Sequence, residues 1–421
     1  MKTASTLPLP LRRYWATLAL FTGISIVYTA TTAHLYHLQA PFGLTLRWGY
    51  ALYNDFLIFR PGFLAFGTAR FWDSFDYPFT YPAPVGVAFG LLYKLQHPVR
   101  DYLALFFVAL AGAAWWFVRE LGLRGVGTAV AWSFTATTLA MTWPLYVLVD
   151  TANVEGLVAI LFTAGVFAVW RERWALGATL IGIAGAMKIF PLLLLVLLLS
   201  TRRYKEFVWG LAVAAAVTIA SLALLGPSIL EAQRHVDFGM LYVRHWIMFS
   251  MLRFAPAFDH SMWLPVRFGI VYADRLIHPL PAELAAARTE VVLRASLTVY
   301  LCAVAALGAI AYVWKIRRLP MLNQLIILMI CAVLLPPMSI DYTLINLLLP
   351  FALLCLYAAD MGRGSRNAKG LASCFGCFAI IFGMNSFLNH KYLFAAEART
   401  AALIVLLCVS ISNPFESARA Q

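Results

Sequence analysis

Charge is what this chain has least of. Of its 421 residues, 62% are hydrophobic and only 12% are charged, whereas soluble domains are about half apolar and a quarter charged. That shortage excludes an ordinary water-soluble domain. No short-period repeat, low-complexity tract or soluble segment breaks the apolar pattern, so residues 1–421 read as one domain. Zinc-finger spacing, an RNA-binding signature and a long basic tail are all missing, which leaves nucleic acid without a binding feature. Walker and dinucleotide-binding glycine motifs are missing too. The cysteines Cys302, Cys331, Cys355, Cys374, Cys377 and Cys408 lie in apolar runs. Cys374 and Cys377 form a CxxC, but at helical spacing and with no nearby histidine, so they read as inert buried thiols. Neither a metal nor a cofactor is expected.

What is present is a succession of apolar runs of about 20 residues, each long enough for a membrane helix. The expected fold is an all-α integral membrane bundle of about twelve crossings. The net charge of +13 then speaks of topology and lipid headgroups. Lys2, Arg12 and Arg13 precede an uncleaved first helix, Tyr14 to Ala33, and set the N-terminus inside. Residues 34–81 become a first external loop, and 231–289 a second external segment. Arg119 with Arg124, Arg171 with Arg173, Arg202-Arg203 with Lys205, Lys315 with Arg317-Arg318, and Arg363 with Arg366 and Lys369 mark inner turns. Val85–Leu95 breaks the parity and reads as re-entrant or interfacial. The arms Trp174–Met187 and Leu192–Ser200 are short. At 1.5 Å per residue each reaches about 20 Å or less against a hydrocarbon core of about 30 Å. Their turn, which holds Lys188, must sit within the membrane against protein or a wet cavity.

Four polar features converge on the outer side: Asp55, the tip Asp150–Glu155, Lys188, and Ser339-Ile340-Asp341-Tyr342 after Pro336-Pro337. Ionisable groups at membrane depth point to function. Asp150 and Glu155 read equally well as solvated acids at a helix turn. Asp73 and Asp76 read as turn formers. Lys188 could snorkel, but its place between two basic inner turns argues against that.

Together these residues resemble glycosyltransferase family 87 of the glycosyltransferase C superfamily, membrane mannosyltransferases that use polyprenyl-phosphate-mannose. The resemblance runs from Asp55-Phe56 through Phe79-Thr80-Tyr81-Pro82-Ala83-Pro84, loosely through Asp150-Thr151-Ala152-Asn153, then Lys188-Ile189-Phe190-Pro191 with Arg202-Arg203, and finally Pro337–Tyr342 leading to Pro350. Several relatives carry a histidine at the late turn, where this chain has Asp341-Tyr342. The resemblance implies a lipid-phosphate sugar donor, a glycan or glycolipid acceptor, and a plasma-membrane enzyme whose site opens outward. Asp55 is the candidate base and Tyr81, Asn153, Asp341 and Tyr342 are candidate substrate contacts, joined by His245 of the second external segment.

The chemistry agrees. A lipid-phosphate donor brings its own leaving group, so one carboxylate must take the acceptor's proton and cations must hold the departing phosphate. Lys188 and Arg253, in the aromatic run HWIMFSMLRF, are assigned to that phosphate. Arg253 reads equally well as a headgroup anchor. A single displacement at the anomeric carbon inverts configuration. The competing class is a transporter or lipid flippase, which would also use broken helices and midplane charges. No convincing inverted repeat favours it.

Overall fold

The computed structural model describes residues 7–35, 53–249, 259–278, 282–361, 367–383 and 394–415. Among these residues the chain is helical. The only extended pairing among the described residues is an isolated antiparallel bridge between Asp259 and Ile340. In chain order the helices are α1 (Leu9–Leu35), α2 (Asn54–Leu57), α3 (Arg60–Leu64), α4 (Ala83–Leu92), α5 (Pro98–Leu123), α6 (Thr128–Ala140), α7 (Trp143–Thr151), α8 (Glu155–Trp170) and α9 (Trp174–Met187). There follow α10 (Val196–Ser200), α11 (Tyr204–Leu225), α12 (Ile229–Phe249), α13 (Trp263–Ile277), α14 (Ala282–Trp314), α15 (Met321–Leu334), α16 (Leu348–Asp360), α17 (Ala368–Gly383) and α18 (Phe394–Ser412). Tight 3₁₀ turns at Phe190–Leu195 and Asp341–Leu347 lead into α10 and α16.

Against the expected dozen or so crossings of the whole chain, four helical stretches among the described residues are long and apolar enough to span a membrane: Pro98–Leu123, Tyr204–Leu225, Arg288–Arg318 and Asp341–Asp360. Six more apolar helices are shorter. α4 is one of them; ten residues reach about 15 Å, half a hydrocarbon core. The arm Trp174–Met187 is helical over those same residues, and the chain then breaks at Lys188, which is extended. Trp143–Thr151 forms a nine-residue helix, so the expected tip Asp150–Glu155 begins inside it. Pro144 sits in its first turn, where the missing N–H has no intrahelical partner to lose.

One large hydrophobic cluster runs from Leu7 to Phe415 and ties the bundle together. Its tightest seam joins α8, α9 and α11. A Cβ on Gly177 would stand 2.8 Å from the carbonyl oxygen of Gly165, and one on Gly182 would stand 2.4 Å from that of Gly210. Glycine there lets helix backbones meet, as in membrane bundles generally.

The bundle has two distinct ends. Arg124 pairs with Glu120 at 2.7 Å and Asp360 at 3.1 Å, and Arg171 reaches Glu120 at 3.6 Å. Arg203 lies over the Trp174 ring at 5.0 Å. Three of the basic turns therefore share one end. α8 and α9 run from that end to the other, over 16 and 14 residues, or about 24 and 21 Å. At their far ends lie Glu155 and Lys188.

Over that far end folds the segment from Tyr53. Phe56, Phe63 and Phe89 pack with Tyr93 in a nest of rings, and the Tyr93 hydroxyl donates to the Phe56 carbonyl at 3.0 Å. The aromatic richness of the first loop is thus structural: it buries one face of α2 and leaves the next residue back, Asp55, to the other.

Candidate active site

Two backbone latches set the position of Asp55. Tyr53 and Ala152 both adopt left-handed conformations, with φ of 60° and 48°, which non-glycine residues rarely hold. The Tyr53 N–H donates to the Asp150 carbonyl at 2.7 Å. Strain of this kind clusters at functional sites, and here the two bends face each other across the start of the site.

Asn153 is the hub. It is completely buried. Its side-chain N–H₂ donates to Asp55 Oδ2 at 2.7 Å and to the Tyr81 hydroxyl at 3.2 Å. Its Oδ1 accepts the N–H of Glu155, two residues on, at 2.9 Å, and this Asx turn fixes the entry to α8. The Tyr102 hydroxyl donates to its carbonyl. That last contact requires Gly156, where an added Cβ would meet the Tyr102 oxygen at 2.4 Å. Gly156→Ala should therefore push Tyr102 away, destabilise the fold by about 1–3 kcal/mol, and lower turnover without touching Asp55. Thermal unfolding in detergent alongside an activity assay checks this; wild-type values for both would mean the contact is dispensable.

Behind Asn153 lies an ion pair. Lys188 Nζ bonds Glu155 Oε2, and Asn346 Nδ2 donates to Glu155 Oε1 at 2.5 Å. Glu155 is fully buried while the Lys188 side chain keeps 20% of its exposure, so the ammonium forms the open side of the pair. It also lies 5.2 Å from the centroid of the Tyr342 ring. Glu155 is accordingly no solvated acid, which corrects one of the two sequence readings.

Burial raises the Asp55 carboxyl above its ordinary value; the Asn153 hydrogen bond and the Lys188 charge oppose this without cancelling it. Burial, with the nearby Asp55 charge second, also drives the Tyr81 hydroxyl well above the usual tyrosine range. Tyr81 is thus a neutral hydrogen-bonding group beside a carboxylate that binds its proton more firmly than usual. Such a carboxylate suits a general base.

A second buried knot lies alongside. Asp341 Oδ1 meets His260 Nε2 at 2.5 Å and Arg399 Nη1 at 2.9 Å, and Oδ2 accepts the Trp143 indole N–H at 2.8 Å. Asp341, His260 and Arg399 are all fully buried. Just before His260, Asp259 Oδ1 accepts the N–H groups of Ser261 and Ser339, each at 2.9 Å. The His260 N–H donates to the Ser339 carbonyl at 2.8 Å. The end of the long segment after α12 is thereby pinned to the late turn.

Five sequence-selected residues come together: Asp55, Tyr81, Asn153, Lys188 and Tyr342. Asp341 is adjacent, but its carboxylate is enclosed by Trp143, His260 and Arg399. His245 stands elsewhere, on α12, half exposed and 3.4 Å from Glu290. Arg253 lies outside the described residues, as do parts of the two external segments, 36–52, 250–258 and 279–281. Sequence reasoning passed over Asn346, His260 and Arg399. Asn346 and Arg399 each had a signal: a lone amide within an apolar run, and a charge at the head of one, both of which need a buried partner.

Residues 79–264 match the model of glycosyltransferase family 87. The chain is 29% identical over 158 residues to the polyprenol-phosphate-mannose-dependent alpha-(1-2)-phosphatidylinositol pentamannoside mannosyltransferase of Mycobacterium tuberculosis (strain CDC 1551 / Oshkosh). That alignment covers 36% of this chain and 35% of the relative, about a third of its length. No solved structure matches. The apolar helices fit a membrane protein, and the matched stretch is similar to glycosyltransferases. More particularly, residues 79–264, fewer than half of the chain, are similar to glycosyltransferase family 87. Tyr81, Asn153, Lys188 and His260 fall inside the matched stretch, while Asp55, Asp341 and Tyr342 fall outside it. Their place beside the others rests on geometry.

Proposed function

We propose that this protein transfers a sugar, mannose in the first instance, from a polyprenyl-phosphate donor to an envelope glycan or glycolipid acceptor. The observation that carries the reading is the juxtaposition of Asp55, Asn153 and Tyr81 with the Lys188 ammonium, whose charge acts on the Asp55 carboxyl. The printed name of the mycobacterial relative supports the donor class. In this reading the acceptor hydroxyl gives its proton to Asp55 as its oxygen attacks the anomeric carbon. The bond from that carbon to the phosphate oxygen breaks, and its electron pair leaves with the phosphate. The configuration inverts and no metal takes part. Asn153 fixes the Asp55 carboxylate so that its second oxygen is available. The Tyr81 hydroxyl and Tyr342 ring contact the sugars, and Asp341 serves them by fixing the turn that presents Tyr342.

Lys188 stabilises the departing phosphate, joined by Arg253. The site opens to the outer face of the plasma membrane.

The test is transfer by the purified protein in lipid nanodiscs, using labelled polyprenyl-phosphate-mannose and a crude envelope-glycolipid pool. Labelled glycolipid is the expected product, and Lys188→Ala should raise the donor KM roughly tenfold or more. Labelled lipid that crosses a vesicle bilayer unchanged would establish a flippase instead.

A further inference from the structure

Lys188 is not a lone cation waiting for a phosphate. It is paired with Glu155, and that carboxylate occupies a donor set of the kind a phosphate would choose: an ammonium, the Asn346 side-chain amide and the N-terminal end of α8. The difference in exposure gives the pair a direction. Glu155 is fully enclosed, and Lys188 lies between it and the open side. An incoming anion therefore meets Lys188 with Glu155 directly behind, and competes with it.

The consequence depends on the reaction proposed above and deepens it. A lipid-phosphate sugar is a phosphodiester with a single negative charge. The lipid phosphate left after transfer is a monoester carrying about 1.5–2 negative charges at neutral pH. A site holding an unopposed lysine binds the product more tightly than the donor and clogs. We infer that Glu155 is a positioning counter-ion that sets the ratio of donor to product affinity and so favours release of the spent lipid phosphate. On donor binding the Lys188 ammonium keeps Glu155 as one partner and turns its remaining N–H groups to the phosphate. As the second charge develops, repulsion from Glu155 rises and the product leaves. Asn346 and the end of α8 hold the carboxylate in place throughout.

Two probes separate charge from sugar: a polyprenyl phosphate monoester and its methyl diester, each titrated into the protein in neutral-lipid nanodiscs. Glu155→Gln keeps the size of the side chain and its contact with Asn346. It should tighten the monoester roughly tenfold and the diester clearly less, because repulsion scales with ligand charge. Under turnover, product inhibition by the monoester should strengthen by a similar factor while the donor KM changes little. In Glu155→Gln/Lys188→Met, where both buried charges go together and the packing is retained, the gain should vanish. That double variant also serves where the single one folds poorly. If wild type binds both probes and Glu155→Gln leaves their affinity ratio unchanged, the counter-ion role is wrong and the transfer reading stands. If wild type binds neither probe, the lipid-phosphate reading itself fails, and this inference with it.

Discussion

Asp55→Asn should lower transfer by roughly 10²–10⁴-fold, the range a positioned general base supplies, while leaving the protein folded. The replacement is isosteric, and its carbonyl oxygen still accepts from Asn153, which holds Asp55 at 2.7 Å. The loss should appear in kcat more than in donor affinity. The pH dependence follows from the same burial. The free base must be ionised to act, so the rate rises with pH, and its acid limb is centred above the ordinary carboxylate value because burial raises the Asp55 pKa. Stability moves in the opposite sense. A carboxyl with a raised native pKa binds its proton more tightly folded than unfolded. Its contribution is therefore fully present below the unfolded value and lost as pH rises through the native one. Asp55→Asn removes that loss, so it should unfold at the same or a higher temperature than wild type at neutral pH while being inactive. A folded variant that keeps wild-type activity removes Asp55 from the chemistry.

Arg399→Met should destabilise the protein by about 3–5 kcal/mol, the usual consequence of removing one partner of a buried ion pair. Asp341 and His260 are both fully enclosed, and no solvent is at hand to take over from the guanidinium that sits 2.9 Å from the carboxylate. The knot joins the start of α7, the end of the segment after α12, the late turn and α18. Release at one point should thus loosen the turn carrying Tyr342 and Asn346. Adding Asp341→Asn to Arg399→Met should recover part of the stability, because the uncompensated charge goes. Unfolding in detergent, followed for the single and double variants, measures both effects. A single variant as stable as wild type would show that Asp341 needs no cation.

The bundle was legible because apolar length is a strong signal, and the short arm ending at Lys188 could be read from residue counts alone. Asp55, Lys188 and the late turn could be selected because charge is rare in this chain. Their mutual arrangement could not. Asn153 bonds Asp55 across 98 positions of sequence, and Asn346 bonds Glu155 across 191. Glu155 illustrates the limit: an acid at a helix start has the same sequence appearance whether water or a lysine stands opposite. His245 illustrates the reverse, since a histidine in an arginine-rich segment suggested a site and instead meets Glu290 on a half-exposed surface.

The shortness of α8 and α9 bears on how a lipid could be processed without being lifted from its membrane. At about 24 and 21 Å, these helices stop some 6–9 Å short of a typical hydrocarbon thickness of about 30 Å. Raising an isoprenoid chain by that distance would bare about five to seven CH₂-sized groups to water, a penalty of about 4–6 kcal/mol at roughly 0.8 kcal/mol each. In the proposed reaction, a layer recessed by the same distance spares the lipid any such climb, and the water-loving acceptor is the partner that must travel.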